Sequence, residues 1–303
     1  MESKIAVNIF FLTCLLFCLN NSALPAFEIA ITIDDLPVSG ELPVGQSRLE
    51  IANTILATLK KHHVEGVYGF VIGKEVTNNP DGSKILQTWI KDGNQLGNHT
   101  YSHLDLSQVT STQYVDDIKR NDMILTSYST NQNHKYFRYP FLSEGNTAEK
   151  RETVRRFLLN NNYQIAPVTL DFSDYEWNQV YAKCLFKKNE NGINWLRKSY
   201  IEHALAALEN SRRMSKHLYG RDIKYILLLH LGAFDAVMMD ELLTSYEKHG
   251  AKFISLSRAL SDPFYKISPD IVSSIGCNYL IQFSLGTCWK SLQHLNLLEK
   301  SHC

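Results

Sequence analysis

The chain has 303 residues, of which 44% are hydrophobic and 20% charged, enough to bury the core of one barrel-sized domain or of two smaller domains. Its 31 basic residues balance 31 acidic residues, which argues against nucleic acid or an anionic membrane as a partner. A neutral polymer or a substrate of mixed charge fits this balance better.

The N-terminal segment has the pattern of a secretory signal. Lys4 precedes a mostly apolar run from Ile5 to Leu19, and the small residue Ala23 follows. This run is shorter than the roughly 20 residues that span a bilayer, which favours a cleaved signal peptide. An uncleaved membrane anchor is the alternative. We therefore predict a signal peptide over residues 1–23, export to the periplasm or the medium, and no stable membrane association after cleavage.

Cleavage near Ala23 leaves four cysteines, an even number that permits disulfides in an exported protein. These cysteines are Cys184, Cys277, Cys288 and Cys303. The sequence leaves their connectivity open, and the first pairing to consider is Cys277 with Cys288, which closes a short C-terminal loop.

Apolar runs alternate with segments of helical periodicity along most of the chain. The predicted strands are Phe27–Ile33, Val67–Ile72, Gln95–His99, Tyr136–Arg138, Gln164–Leu170, Tyr225–Leu229 and Phe253–Leu256. The predicted helices cover Leu49–His63, 83–92, 110–129, 148–160, 195–217 and 237–249. This alternation predicts an α/β protein with a parallel sheet, either closed into a barrel or open. Residues 178–222 and 262–303 fall outside the pattern, as a helical insertion and a C-terminal extension.

Five short motifs follow predicted strands and carry most of the chemistry of the chain. They are Thr32-Ile33-Asp34-Asp35, His99-Thr100-Tyr101-Ser102-His103, Arg138-Tyr139-Pro140-Phe141, Asp171-Phe172-Ser173-Asp174-Tyr175 and Leu228-Leu229-His230. The carboxyl ends of parallel strands meet on one side of a sheet, whether it is open or closed. Carboxylates, imidazoles and a guanidinium gathered there are the groups that metal-assisted hydrolysis requires.

The first two motifs supply a candidate metal site. His99 and His103 are four residues apart, which places both imidazoles on one face of a helix or turn. Of the adjacent acids Asp34 and Asp35, one can bind a metal while the other accepts a proton, although such a pair alone is more often a helix cap or a turn. Two histidines with Asp35 leave coordination positions open for water and substrate. Zn²⁺ is the expected ion, and Co²⁺, Ni²⁺ and Fe²⁺ suit the same ligands.

The other three motifs supply charge control and proton transfer. A proline fixes the turn after Arg138 and can direct the backbone N–H of Tyr139 toward a developing oxyanion. A lone histidine after an apolar strand, such as His230, is more often a core residue than a catalyst. Its place on the same side of the sheet as the other motifs favours catalysis, and either Asp171 or Asp174 could keep it protonated and raise its pKa.

In order and spacing, the five motifs resemble those of the polysaccharide deacetylases of the NodB-homology type, carbohydrate esterase family 4. The resemblance implies a distorted, incomplete (β/α)7-type barrel over residues 24–261. It also implies a metal-dependent hydrolase that removes N-acetyl groups from a glycan such as peptidoglycan or chitin and releases acetate. Ester deacetylation, deformylation and opening of cyclic amides are related activities that it leaves open. A secreted glycan-binding protein without turnover is the alternative of a different class.

The resemblance also implies a role for individual residues. Asp34 corresponds to the general base, Arg138 to the residue that orients it, and the Tyr139 N–H to an oxyanion donor. His230 corresponds to the general acid, tuned by Asp174. The metal ligands that it implies are Asp35, His99 and His103, and the substrate-binding residues are Asp171, Tyr175 and Leu228. Departures from the family pattern are Ile33 for Phe, Leu36 for Gly and Tyr175 for Trp, none of which removes a reactive group.

Overall fold

The computed structural model describes residues 26–128, 135–269, 271–273, 275–285 and 297–303. The signal peptide predicted over 1–23 lies outside these residues. Within them, the search for a helix that is both long and apolar enough to cross a membrane finds none.

A curled parallel sheet forms the centre of the molecule. Its seven strands are β1 (Phe27–Leu36), β2 (Tyr68–Val71), β3 (Gln95–Asn98), β4 (Lys135–Phe137), β5 (Tyr163–Ile165), β6 (Tyr225–His230) and β7 (Ala251–Ile254). Neighbouring strands follow the order β5-β4-β3-β2-β1-β6, and β7 pairs with the first half of β1. An isolated bridge between Leu170 and Leu227 connects the segment after β5 to β6. The predicted incomplete (β/α)7-type barrel is confirmed.

Helices surround the sheet. They are α1 (Arg48–Lys61), α2 (Gly73–Asn78), α3 (Gly82–Lys91), α4 (Ser111–Thr126), α5 (Ala148–Asn160), α6 (Tyr175–Phe186), α7 (Glu190–Tyr219), α8 (Ala233–Lys248), α9 (Leu256–Leu260), α10 (Tyr279–Leu285) and α11 (Leu297–Lys300). Short 3₁₀ turns cover Pro140–Leu142 and Pro263–Lys266. Capping boxes at Ser47 and Thr110 satisfy the first backbone N–H groups of α1 and α4.

The side chains on the two faces of β1 pack into different apolar clusters. Ile29, Ile31 and Ile33 belong to the large apolar cluster between the sheet and the helices. Ala30 belongs to a smaller cluster with Ile226 on β6. Because successive side chains on a strand point to opposite faces, the even-numbered positions of β1 face the inside of the barrel.

The boundaries of the predicted strands differ from the structure, and in two strands the local sequence explains the difference. The strand predicted over Gln164–Leu170 ends at Ile165 in β5. Pro167 follows, and proline has no N–H to donate to a sheet ladder. The strand predicted over Phe253–Leu256 covers Ala251–Ile254 instead, because Ser255 caps the helix that begins at Leu256.

A disulfide and a backbone hydrogen bond connect the described parts of the C-terminal extension to the rest of the molecule. Cys303 forms a disulfide with Cys184 in α6. Cys277 is also disulfide-bonded. The pairing of Cys277 with Cys288 lies outside the described residues, because Cys288 is not among them. Between these points, the Tyr279 backbone N–H donates to the Val168 carbonyl at 2.8 Å.

Candidate active site

The register of β1 and β6 brings Asp34 and His230 side by side. These two residues are direct partners across the parallel ladder. Each lies four positions after a residue of the interior cluster, Ala30 on β1 and Ile226 on β6. Even spacing keeps side chains on one face of a strand, so both point into the mouth of the barrel.

The guanidinium of Arg138 forms an ion pair with Asp34. The Nη1 of the fully buried Arg138 donates to Asp34 Oδ1 at 3.0 Å and to Thr32 Oγ1 at 3.0 Å. Its Nε donates to the Ala166 carbonyl at 2.8 Å, which locks the guanidinium in place. Burial raises the pKa of Asp34, and the charge of Arg138 opposes that rise. A buried carboxylate with a raised pKa and one fixed cation suits a general base.

Asp35 reaches the same site as Asp34 because the strand is irregular at this residue. Its φ is 60°, in the left-handed region, and the register between β1 and β2 shifts between Ile33 and Leu36. Such irregularities redirect side chains beside functional sites. The prediction that the strand ends before the two acids is wrong, since β1 continues through both to Leu36. A regular strand would point the two adjacent carboxylates to opposite faces, whereas here Asp34 Oδ2 and Asp35 Oδ1 lie 3.7 and 3.5 Å from the same His99 Nε2.

Asp35, His99 and His103 converge on one point. A ligand atom from each lies within 4.8 Å of the other two. The Nε2 atoms of His99 and His103 lie 3.5 and 3.4 Å from Asp35 Oδ1. The histidines sit in the loop after β3, where positive φ angles at Thr100 (63°) and His103 (55°) make a tight turn rather than a helix.

This donor set fits a divalent metal. His99 Nδ1 lies 2.8 Å from the Arg138 carbonyl oxygen, so this nitrogen carries the hydrogen and Nε2 presents its lone pair to the site. Burial lowers the pKa of His99 to about 3 and that of His103 to about 4, which keeps both imidazoles neutral. Asp35 Oδ1 is buried and has no hydrogen-bond partner among the described residues. Two neutral imidazoles and a free carboxylate oxygen are what an open Zn²⁺ site takes from a protein.

His230 forms an ion pair with Asp174, the residue just before α6. Its Nδ1 lies 2.8 Å from Asp174 Oδ1, and its backbone N–H donates to Oδ2 at 2.7 Å. Burial alone would lower the pKa of His230, but the charge and hydrogen bond of Asp174, with the charges of Asp35 and Asp34, raise it well above its ordinary value. Asp174 therefore favours the protonated form of His230, which is the form that an acid catalyst requires.

The remaining predicted residues lie at the margins of this cluster. The Tyr175 side chain is 46% exposed, and its ring centroid lies 5.3 Å from that of His230. Leu228 is buried two residues before His230, on the same face of β6. The side chain of Tyr139 is buried, which leaves only its backbone for an oxyanion role. Asp171 Oδ1 accepts the Ser173 N–H at 2.8 Å and so stabilises the turn before Asp174.

Two residues beside the cluster had no assigned role in the sequence analysis. The Phe141 ring lies 4.5 Å from that of His103, and its side chain is 52% exposed. Asp235, in the first turn of α8, is fully buried and interacts with Asp174. Phe141 closes a quoted motif and could have been proposed from it. Asp235 has no such signal, because an acid in the first turn of a helix is ordinary.

The N-terminal half of the chain is similar to a known protein family. Residues 21–160 match the family model of the polysaccharide deacetylases. The matched range contains Asp34, the three candidate metal ligands and Arg138. Asp174 and His230 lie beyond it and are brought to the same place by the fold. The resemblance to the polysaccharide deacetylases is confirmed over this range, which is a little under half of the chain.

Individual relatives are distant. The chain is 28% identical over 148 residues to a chitin deacetylase of Arthroderma benhamiae, over 49% of this chain and 35% of that one. It is 25% identical over 229 residues to a peptidoglycan-N-acetylglucosamine deacetylase of Bacillus cereus, over 76% of this chain and 66% of that one. The match thus spans about a third to two thirds of these relatives' length. A family 4 carbohydrate esterase pseudoenzyme of Bacillus anthracis has the same fold, with a TM-score of 0.54 and 17% identity over 78% of this chain and 66% of that one.

We expect Asp174→Asn to shift the alkaline limb of the pH profile of kcat/KM to lower pH. A general acid works below its pKa, and Asp174 raises that pKa, so loss of its charge narrows the active range from the alkaline side. A shift of about one unit or more is the usual effect of losing a close opposite charge. Acetate release measured across the pH range tests this expectation. The exposed Asp116→Asn is the control, and superimposable profiles for Asp174→Asn and the parent would contradict it.

Proposed function

We propose that the chain is a metal-dependent hydrolase that removes N-acetyl groups from a carbohydrate and releases acetate. The observation that carries this proposal is the meeting of a metal-ligand triad with an arginine-paired carboxylate and an aspartate-paired histidine in one barrel mouth. Hydrolysis of an amide requires activation of water, stabilisation of an oxyanion and protonation of the departing amine. The chain offers separate groups for each requirement.

The base and the metal ligands are oriented by one residue. A divalent metal held by Asp35, His99 and His103 would supply Lewis-acid activation of water and of the acyl carbonyl. Asp34 accepts the proton of the attacking water. Its Oδ1 is held by the Arg138 side chain, while its Oδ2 lies 3.7 Å from His99 Nε2. The Arg138 carbonyl accepts from His99 Nδ1, so this single residue positions both the base and a ligand.

The acid acts from the other imidazole nitrogen. Asp174 Oδ1 accepts the hydrogen bond of His230 Nδ1, so the proton on Nε2 is free to transfer to the departing amine. This transfer matters because an unprotonated amine is a poor leaving group. The backbone N–H of Tyr139 stabilises the oxyanion, and Leu228 forms part of the pocket for the acetyl methyl group.

A peptidoglycan-like or chitin-like glycan is the substrate class that we propose. The names of the relatives from Bacillus cereus and Arthroderma benhamiae support this choice. The exposed rings of Phe141 and Tyr175 lie beside His103 and His230 and offer flat apolar faces to a sugar chain. A structural polymer of this kind lies outside the cell, which agrees with the signal peptide predicted over 1–23.

Side-by-side rates on amide and ester substrates test the proposed bond. We expect the metal-loaded protein to release acetate faster from N-acetylglucosamine oligomers than from O-acetylated xylo-oligosaccharides of the same length. A preference for the esters would assign ester deacetylation instead. Binding of the oligomers without release of acetate from either substrate would leave a glycan-binding protein.

A further inference from the structure

Asp235 is a buried carboxyl group that the chemistry described above does not use. It is fully buried at the start of α8. Its Oδ1 accepts the Tyr200 hydroxyl at 2.8 Å, whereas no described residue donates a hydrogen bond to its Oδ2. A Cβ atom at Gly232 would lie 2.3 Å from Oδ2, so a glycine at that position is required for Asp235 to pack against the turn after His230.

Asp174 and Asp235 both pack at the turn around His230: Asp174 Oδ2 accepts the His230 backbone N–H at 2.7 Å, and Asp235 Oδ2 lies against Gly232. The charge of Asp174 and a hydrogen bond between the two carboxyl groups both act on Asp235. Asp174 accepts from the imidazole at one oxygen and from the backbone N–H of His230 at the other, and is therefore the ionised member of the pair. Two ionised carboxylates in contact within a buried site would repel each other strongly. A hydrogen shared by the two carboxyl groups is therefore bonded to Asp235 Oδ2, to which no described residue donates a hydrogen bond. Burial and the Asp174 charge also raise the pKa of Asp235 well above its ordinary value.

We propose that Asp235 is a positioning residue, a neutral carboxylic acid that donates its hydrogen to Asp174 and fixes that carboxylate against His230. The hydroxyl of Tyr200 then donates to Asp235 Oδ1, and Asp235 Oδ2 donates to Asp174. Asp174 receives hydrogen bonds from both sides, which restricts its rotation. This inference rests on the proposed function only where it takes His230 as the acid.

Neutrality of Asp235 also sets the charge that His230 experiences. The titratable groups facing Asp235 are Asp174 before α6, Tyr200 on α7 and His230 on β6. A second negative charge here would hold the proton on His230 more tightly and impede its transfer to the amine. A neutral donor orients Asp174 without adding charge.

Two substitutions at Asp235 separate these effects. In Asp235→Asn, the amide can donate to Asp174 and accept from Tyr200 without charge, so we expect kcat/KM within about threefold of the parent. The pKa of His230, followed by NMR of the full chain with Zn²⁺ added, should move by less than about half a unit.

In Asp235→Ala the hydrogen-bond donor to Asp174 is lost. We expect kcat to fall about 10–100-fold with little change in KM, as for other residues that support a functional histidine. Glu241→Gln, at an exposed site on the same helix, is the control.

Two results would overturn the proposal. A decrease of about one unit or more in the His230 pKa of Asp235→Asn would show that Asp235 carries a charge in the parent. An unchanged kcat and pH profile in Asp235→Ala would show a purely structural role. If Asp235→Ala does not fold, the Asp235→Asn titration decides alone. The titration needs no turnover, so an inactive protein would count against the proposed function without affecting this test.

Discussion

Replacing Asp34 with asparagine should lower kcat by about 10²–10⁴-fold, the usual contribution of a general base, and leave the metal bound. Asparagine keeps the size of the side chain and an oxygen that accepts from Arg138, but it cannot take a proton from water. The metal should remain because the converging triad consists of Asp35, His99 and His103. The measurements are acetate release and metal content of the same preparations.

Asp116→Asn is the matched control for this variant, since it makes the same chemical change at a side chain that is 64% exposed. An Asp34→Asn protein as fast as the parent would remove Asp34 from the role of base. Loss of metal from Asp34→Asn would instead show that Asp34 is a metal ligand. Asp34 is close enough to the site for this alternative role, since its Oδ2 lies 3.7 Å from His99 Nε2.

Replacing His103 with alanine should remove metal and activity together. His103 supplies one of three ligand atoms, and a two-ligand site holds a divalent ion weakly. Loss of Lewis-acid activation, worth several kcal/mol, corresponds to a fall in kcat/KM of about 10²-fold or more. Metal content after dialysis and acetate release at saturating Zn²⁺ test this expectation.

The control is His217→Ala, which removes an exposed imidazole on α7. Chelation of the parent should reproduce the His103→Ala phenotype, and added Zn²⁺ should restore the parent but not the variant. Full activity in the chelated parent would contradict metal dependence. Full metal content in His103→Ala would show that another residue completes the site.

The architecture of the site could be predicted because it depends on strand ends. Buried apolar runs mark the strands of a parallel sheet, and a parallel sheet brings its carboxyl ends together whatever the loops do. Asp34 and His230 meet for this reason, across a ladder between residues nearly two hundred positions apart. The spacing of His99 and His103 likewise constrains two imidazoles to one turn.

Other features depend on backbone geometry that the sequence does not display. The direction of Asp35 comes from its positive φ, and nothing in the motif distinguishes this irregularity from a strand end. The disulfide between Cys184 and Cys303 joins residues 119 positions apart, a separation that pattern reading cannot evaluate. Asp235 reaches Asp174 only through the packing of α8.

Fold alone does not establish activity, since the Bacillus anthracis protein with the same fold is described as a pseudoenzyme. The proposed activity depends instead on the joint presence of ligands, base and acid. The most direct test is the release of acetate and of free amine from N-acetylglucosamine oligomers and peptidoglycan fragments by the zinc-loaded protein. We predict equal amounts of both products, abolished by chelation and released about 10²–10⁴-fold more slowly by Asp34→Asn. Absence of both products, with zinc demonstrably bound at Asp35, His99 and His103, would contradict N-deacetylation as the function of this chain.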